Sequence, residues 1–181
     1  EQWTTLRANQ TPRMNNIGIS DTVTRKAITQ ATRIAKETQP ISGTLAERYL
    51  REHRSIKGAL PDSFRFHPNH WNSEAQLKMP ALVVVAKNSQ NKLRAIQIIS
   101  LDATTANKAA LKSPKITRGT LKDEAMGVLV NRGTDNSIFA IAEGPETALS
   151  IKEAYPDLTI YCTLGVANFK RVPIHSDTKQ V

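Results

Sequence analysis

The chain has 181 residues, 25 of them Lys or Arg against 16 Asp or Glu, for a formal net charge of +9 and a sequence pI near 9.9. That length allows one good-sized domain or two small ones, and the charge points to polyanionic partners over acidic small molecules. No stretch reaches the roughly 20 apolar residues of a membrane-spanning helix, no signal-sequence pattern is read at the front, and the single Cys162 cannot close an internal disulfide, so the chain is expected to be soluble and cytoplasmic, without a disulfide framework.

Residues 1–19 are polar and without period, and read as a loose lead-in to a chain expected to be a fragment of something longer. Ser20-Asp21 can cap a helix running to about Glu37, because Val23, Ala27, Ile28, Ala31, Ile34 and Ala35 recur at helical spacing, and Gln39-Pro40 ends it. A second helix is expected after Ser42-Gly43-Thr44, with Glu47 at the capping-box distance from Thr44. Its apolar stripe is Leu45, Ala46, Tyr49 and Leu50; Arg48, Arg51, His53 and Arg54 leave the other surface basic.

From Leu60 the pattern changes to short strands at 63–66, 81–86, 93–101, 127–130 and 137–142, separated by turn-rich segments at 67–70 and 88–91. The pair 81–86 and 93–101 reads as a β-hairpin. After residue 142 the order becomes helix (146–155), strand (158–163) and a short helix near 166–169, a βαβ arrangement. Residues 1–122 hold 20 basic and 8 acidic residues, whereas 123–181 hold 5 and 8. The expected organisation is therefore a lead-in and helix (1–40), a basic α+β module (41–122) and the start of a parallel α/β module (123–181).

The segment Phe139–Ser150, FAIAEGPETALS, concentrates the chemistry. A near-continuous apolar strand stops on Glu143, Gly144 permits a sharp turn, and Pro145 suits a first helical position. That puts Glu143 at the carboxyl end of a strand, where crevices form in α/β sheets, with binding a cation or handling a proton set against simple interaction with the helix dipole. Glu146, inside the first turn, is expected to be structural. His67 and His70 lack a third ligand for zinc and read as exposed turn residues. Trp71 and Phe66, near Arg65, are candidates for base stacking, with burial as the alternative. Lys108, Lys112, Lys115, Arg118 and Lys122, spread along a loop containing Pro and Gly, are the phosphate-binding candidates beside Arg65, a solvated basic loop being the alternative.

Ile141–Leu149 (IAEGPETAL), the strand at 158–163 and Thr163–Phe169 (TLGVANF) resemble the first half of a Toprim domain. Upstream, Gly43–Arg51 (GTLAERYLR), Leu60–Pro68 (LPDSFRFHP), Pro80–Val84 (PALVV) and the Asn107-Lys108-Ala109 after Asp102 are similar to the primase-like segment that precedes Toprim in proteins of phages, plasmids and conjugative relaxases. The resemblance runs from about residue 41 to residue 175. It implies a small basic α+β module followed by the first βαβ part of a Rossmann-like Toprim fold. It implies that Glu143 acts as general acid/base or helps to hold Mg2+, with Gly144, Pro145, Glu146 and Gly165 shaping the turns around it.

The family's Asp-x-Asp metal motif is not in this chain, and Asp177 stands alone with Lys179 two residues on. Mg2+-dependent nucleotidyl transfer or phosphodiester chemistry is thus expected of a parent DNA-processing protein, with weak or no Mg2+ binding and no turnover in this chain by itself. The alternative is a non-catalytic single-stranded DNA-binding or protein-docking domain of a relaxase or mobilisation protein. Expected partners are single-stranded DNA or RNA and other conjugation or replication proteins, and no membrane.

Overall fold

The computed structural model describes residues 17–121, 127–172 and 178–181. Helix α1 (Ile17–Lys36) begins before the expected Ser20-Asp21 cap and packs across one face of a sheet. Helix α2 (Leu45–Arg54) follows a two-residue strand, β1 (Gln39–Pro40), and starts as its capping box requires. The Thr44 hydroxyl accepts from the Glu47 amide at 3.4 Å, while the Glu47 carboxylate accepts from the Gly43 amide at 2.7 Å, so two otherwise unpaired donors are satisfied reciprocally.

Strands β2 (Phe64–Asn72), β3 (Leu77–Lys87), β4 (Leu93–Ser100) and β5 (Lys115–Gly119) join β1 in an antiparallel sheet of order β1-β2-β3-β4-β5. In β3 the run Ala81–Ala86 is buried at every position because the sheet is covered on both faces. Ala81, Val83 and Val85 meet Ile96 and Ile98 of β4 beneath Ala31 and Ile34 of α1. Leu82, Val84 and Ala86 face the other way, with Ala46, Tyr49 and Leu50 of α2.

Two expectations are corrected here. The segment His67–His70 is not a turn: β2 runs through it, with a register shift between His67 and His70 that accommodates exposed Pro68 and Asn69 and returns both imidazoles to the interior. The basic stretch after Lys108 is not all loop. Its residues Lys115–Gly119 form edge strand β5, paired to β4 through Ile99↔Lys115 and Ile96↔Arg118, and such charges are what keep an edge from pairing with another chain.

The second sheet has the order β6-β8-β7, from β6 (Val128–Asn131), β7 (Asp135–Ala142) and β8 (Leu158–Cys162). Strands β7 and β8 are parallel and are connected by helix α3 (Pro145–Ala154); β6 is antiparallel to β8. A bridge between Lys87 and Gly127 links the two sheets. Ala142, Ala148, Leu149, Ile160 and Cys162 belong to the same contiguous core as Tyr49, Leu82 and Ile99. The architecture is α+β, and among the described residues no helix is long and apolar enough to cross a membrane.

Candidate functional site

The carboxyl ends of β7 and β8 lie side by side. The Thr163 amide donates to the Ala142 carbonyl at 2.9 Å, and the Cys162 thiol donates to the Glu143 carbonyl at 3.4 Å. Glu143 follows the last residue of β7 with an exposed side chain, Gly144 is the extended N-cap of α3, and Pro145 is buried in its first turn, where a missing N–H costs nothing. Beyond β8 the chain turns at Gly165, whose φ of +149° favours glycine, into a 3-10 helix at Val166–Arg171. The Thr163 hydroxyl donates to the Gly165 carbonyl at 3.0 Å and Asn168 donates to the Thr163 carbonyl at 3.0 Å, fixing this second loop beside Glu143.

Glu146 sits in the first turn of α3 and is tied down. Its Oε1 accepts from the Tyr49 hydroxyl at 3.0 Å and from Lys108 Nζ at 2.7 Å, and Tyr49 Oη in turn accepts from Arg54 Nε at 2.9 Å. Burial pushes the Glu146 carboxyl up, but Lys108, its own backbone N–H and Tyr49 outweigh this and hold it below the ordinary carboxylate value. Burial first, and the Glu146 charge second, raise the Tyr49 phenol. Tyr49 and Arg54 are site residues that the sequence does not single out, since Tyr49 reads there only as part of an apolar stripe. The Tyr49–Glu146 bond spans 97 residues and no local pattern encodes it.

The expected cationic residues are distributed, not gathered. Lys108 is engaged by Glu146 and also lies 6.0 Å above the Tyr49 ring centroid. Arg65 donates to the Thr38 hydroxyl at 2.7 Å and to its carbonyl at 3.2 Å. Lys112 is exposed, its amide held by Glu74 at 2.6 Å. Lys115 and Arg118, three apart on β5, project from opposite faces of the sheet. Lys122 and Asp177 lie outside the described residues. Of the two stacking candidates, Phe66 is buried in the core and Trp71 is 53% exposed.

His67 and His70 are buried, with rings 5.5 Å apart and edge to face, and His67 Nε2 lies 3.3 Å from the Glu37 carboxylate. Burial, then His67 and Arg118, bring the His70 imidazole down to about 4. Among the described residues no group of three or more His, Cys, Asp or Glu is placed to hold a metal ion, at the histidines or around Glu143. The described residues therefore do not fit a Mg2+ centre, whose hard oxygen ligands must come from several groups.

A family described as a domain of unknown function, DUF7146, matches residues 25–128, more than half of the chain. The chain belongs to that family. The DUF7146 span contains most of α1, all of the five-stranded sheet, and Tyr49, Arg54 and Lys108. Glu143, Glu146 and the βαβ unit follow it in the chain. No curated protein and no solved structure matches the sequence.

Proposed function

We propose that the chain is the strand-engaging part of a DNA-processing protein, with a basic primase-like module joined to the first part of a Toprim-like unit that presents Glu143. The observation that carries this reading is the contrast between the two acids at the start of α3. Glu146 is spent on Tyr49 and Lys108, whereas Glu143 stands exposed where the parallel strands β7 and β8 end together. A carboxylate so placed is suited to take or return a proton at an attacking hydroxyl. No step is assigned to Mg2+, because the described residues supply no set of ligands for it. In a longer protein, further carboxylates would have to complete the site for nucleotidyl transfer or phosphodiester chemistry.

The single carboxylate favours a second reading, a non-catalytic single-stranded DNA-binding or docking domain of a relaxase or mobilisation protein. One experiment separates the two. Glu143→Gln, in the longest natural form of the protein that contains this chain, is assayed for Mg2+-dependent primer synthesis and strand cleavage. Loss of activity with strand binding retained supports the catalytic reading; activity equal to that of the unaltered protein removes Glu143 from the mechanism.

A further inference from the structure

A groove of about 550 Å³ opens between β3 with its hairpin turn and the strands β6 and β8, and no residue of α3 lines it. Its size falls within the range of small-ligand sites. Arg65, Lys87 and Arg132 line it, from β2, the end of β3 and the segment after β6, against one carboxylate, Asp62. Arg65 is fixed by its two bonds to Thr38, so part of its guanidinium is pre-positioned. Lys87 and Arg132 are exposed, and no ion pair holds either among the described residues.

The groove also has an aromatic wall. Tyr161 of β8 is half-buried there, its ring nearly parallel to that of Phe139 at 3° and 6.0 Å between centroids, so its orientation is set by the sheet beneath. The Lys87–Gly127 bridge holds the two sides of the groove at a fixed spacing. At Gly127 an added Cβ would come within 3.3 Å of the Tyr161 ring, so this narrow approach suits glycine. Cations from three elements facing one acid select an anion, and a ring wall beside them adds a planar group to the requirement.

We propose that this groove binds a nucleotide unit, its phosphate held by Lys87, Arg132 and Arg65 and its base against Tyr161. The unit is either a free nucleotide or one residue of a single strand, which share this chemistry. The inference rests on the nucleic-acid reading above but not on any role for Glu143.

The test uses the whole chain with two probes, a nucleoside triphosphate and a fluorescent thymidine oligonucleotide, at low salt, with circular dichroism to confirm folding. Arg132→Ala and Lys87→Ala should each weaken binding several-fold, and Tyr161→Leu, which retains an apolar side chain, should weaken it about fivefold or more. Lys78→Ala removes the same charge at the far end of β3, roughly 30 Å along the strand, and should change binding little. A response of the triphosphate to the groove variants assigns the free nucleotide; a response of the oligonucleotide alone assigns the strand. If the unaltered chain binds neither probe, the groove and the nucleic-acid reading fall together. If it binds but the groove variants bind as tightly, or if Lys78→Ala weakens binding equally, the groove proposal falls alone. Competition by polyglutamate equal to that by oligonucleotide would also overturn it, since an acidic peptide would then be the better ligand.

Discussion

Lys108 and Glu146 meet at 2.7 Å across the junction between the antiparallel sheet's connecting loop and the first turn of α3. Their side chains are 29% and 14% exposed, so the pair is screened from water only in part, and the Tyr49 hydroxyl supplies a second donor to the same oxygen. Removing one partner strands the other in a half-dry setting, which costs more than an exposed ion pair would. Glu146→Ala should destabilise the fold by roughly 1–3 kcal/mol, and Tyr49→Phe by about 1 kcal/mol through loss of the bonds to Glu146 and Arg54. A double-mutant cycle on Lys108→Met and Glu146→Gln, read by urea unfolding, should give a coupling on the order of 1 kcal/mol. Additive effects would show that the contact carries no energy.

Acid should weaken the fold in two stages. The His70 imidazole is brought from 6.5 to about 4 in the folded state, so between those values the unfolded chain binds more protons than the folded one. This contribution is complete above about pH 6.5 and is lost as pH falls toward 4, for a total on the order of 3 kcal/mol. Glu146, held below its ordinary value of 4.5, contributes stability that is present above that value and is lost as pH falls further. The pH dependence of the urea midpoint checks this. His70→Gln should flatten the slope between pH 6.5 and 4, and an unchanged slope would mean that His70 is already solvated in the folded protein.

Cys162 should be inert in the folded protein. Its side chain is fully buried in the shared core, and burial pushes the thiol up to about 12, so almost no thiolate exists at neutral pH. A thiol reagent added to native chain should label nothing over the time that unfolded chain in urea labels completely. Rapid labelling of native protein would show that the core around β7 and β8 opens readily.

The residue pattern reaches the elements whose information is local. Thr44 and Glu47 announce α2 because a capping box is complete within four residues, and the FAIAEGP stretch announces β7 and α3 because strand, turn and helix start are contiguous. It does not reach β5: KITRG alternates too briefly, at an edge where one face is polar, to stand apart from a basic loop. Pro68 conceals the length of β2, since a proline followed by the turn-forming Asn69 punctuates any strand unless a bulge takes them out of the ladder. The Lys108–Glu146–Tyr49–Arg54 network is the extreme case. Each residue has an ordinary local role, and only the approach of α2 and α3 over one core brings them together.

The most direct test of strand engagement is the affinity of this chain for a single-stranded oligonucleotide as salt is raised from about 50 to about 200 mM. Several cations contacting phosphates should give a linear fall of log affinity with log salt, with a slope near −0.7 for each phosphate neutralised and a total loss of about tenfold or more over that range. Measurable binding at low salt with that slope is the predicted result. No binding at low salt, or binding that is flat across the range, would contradict it.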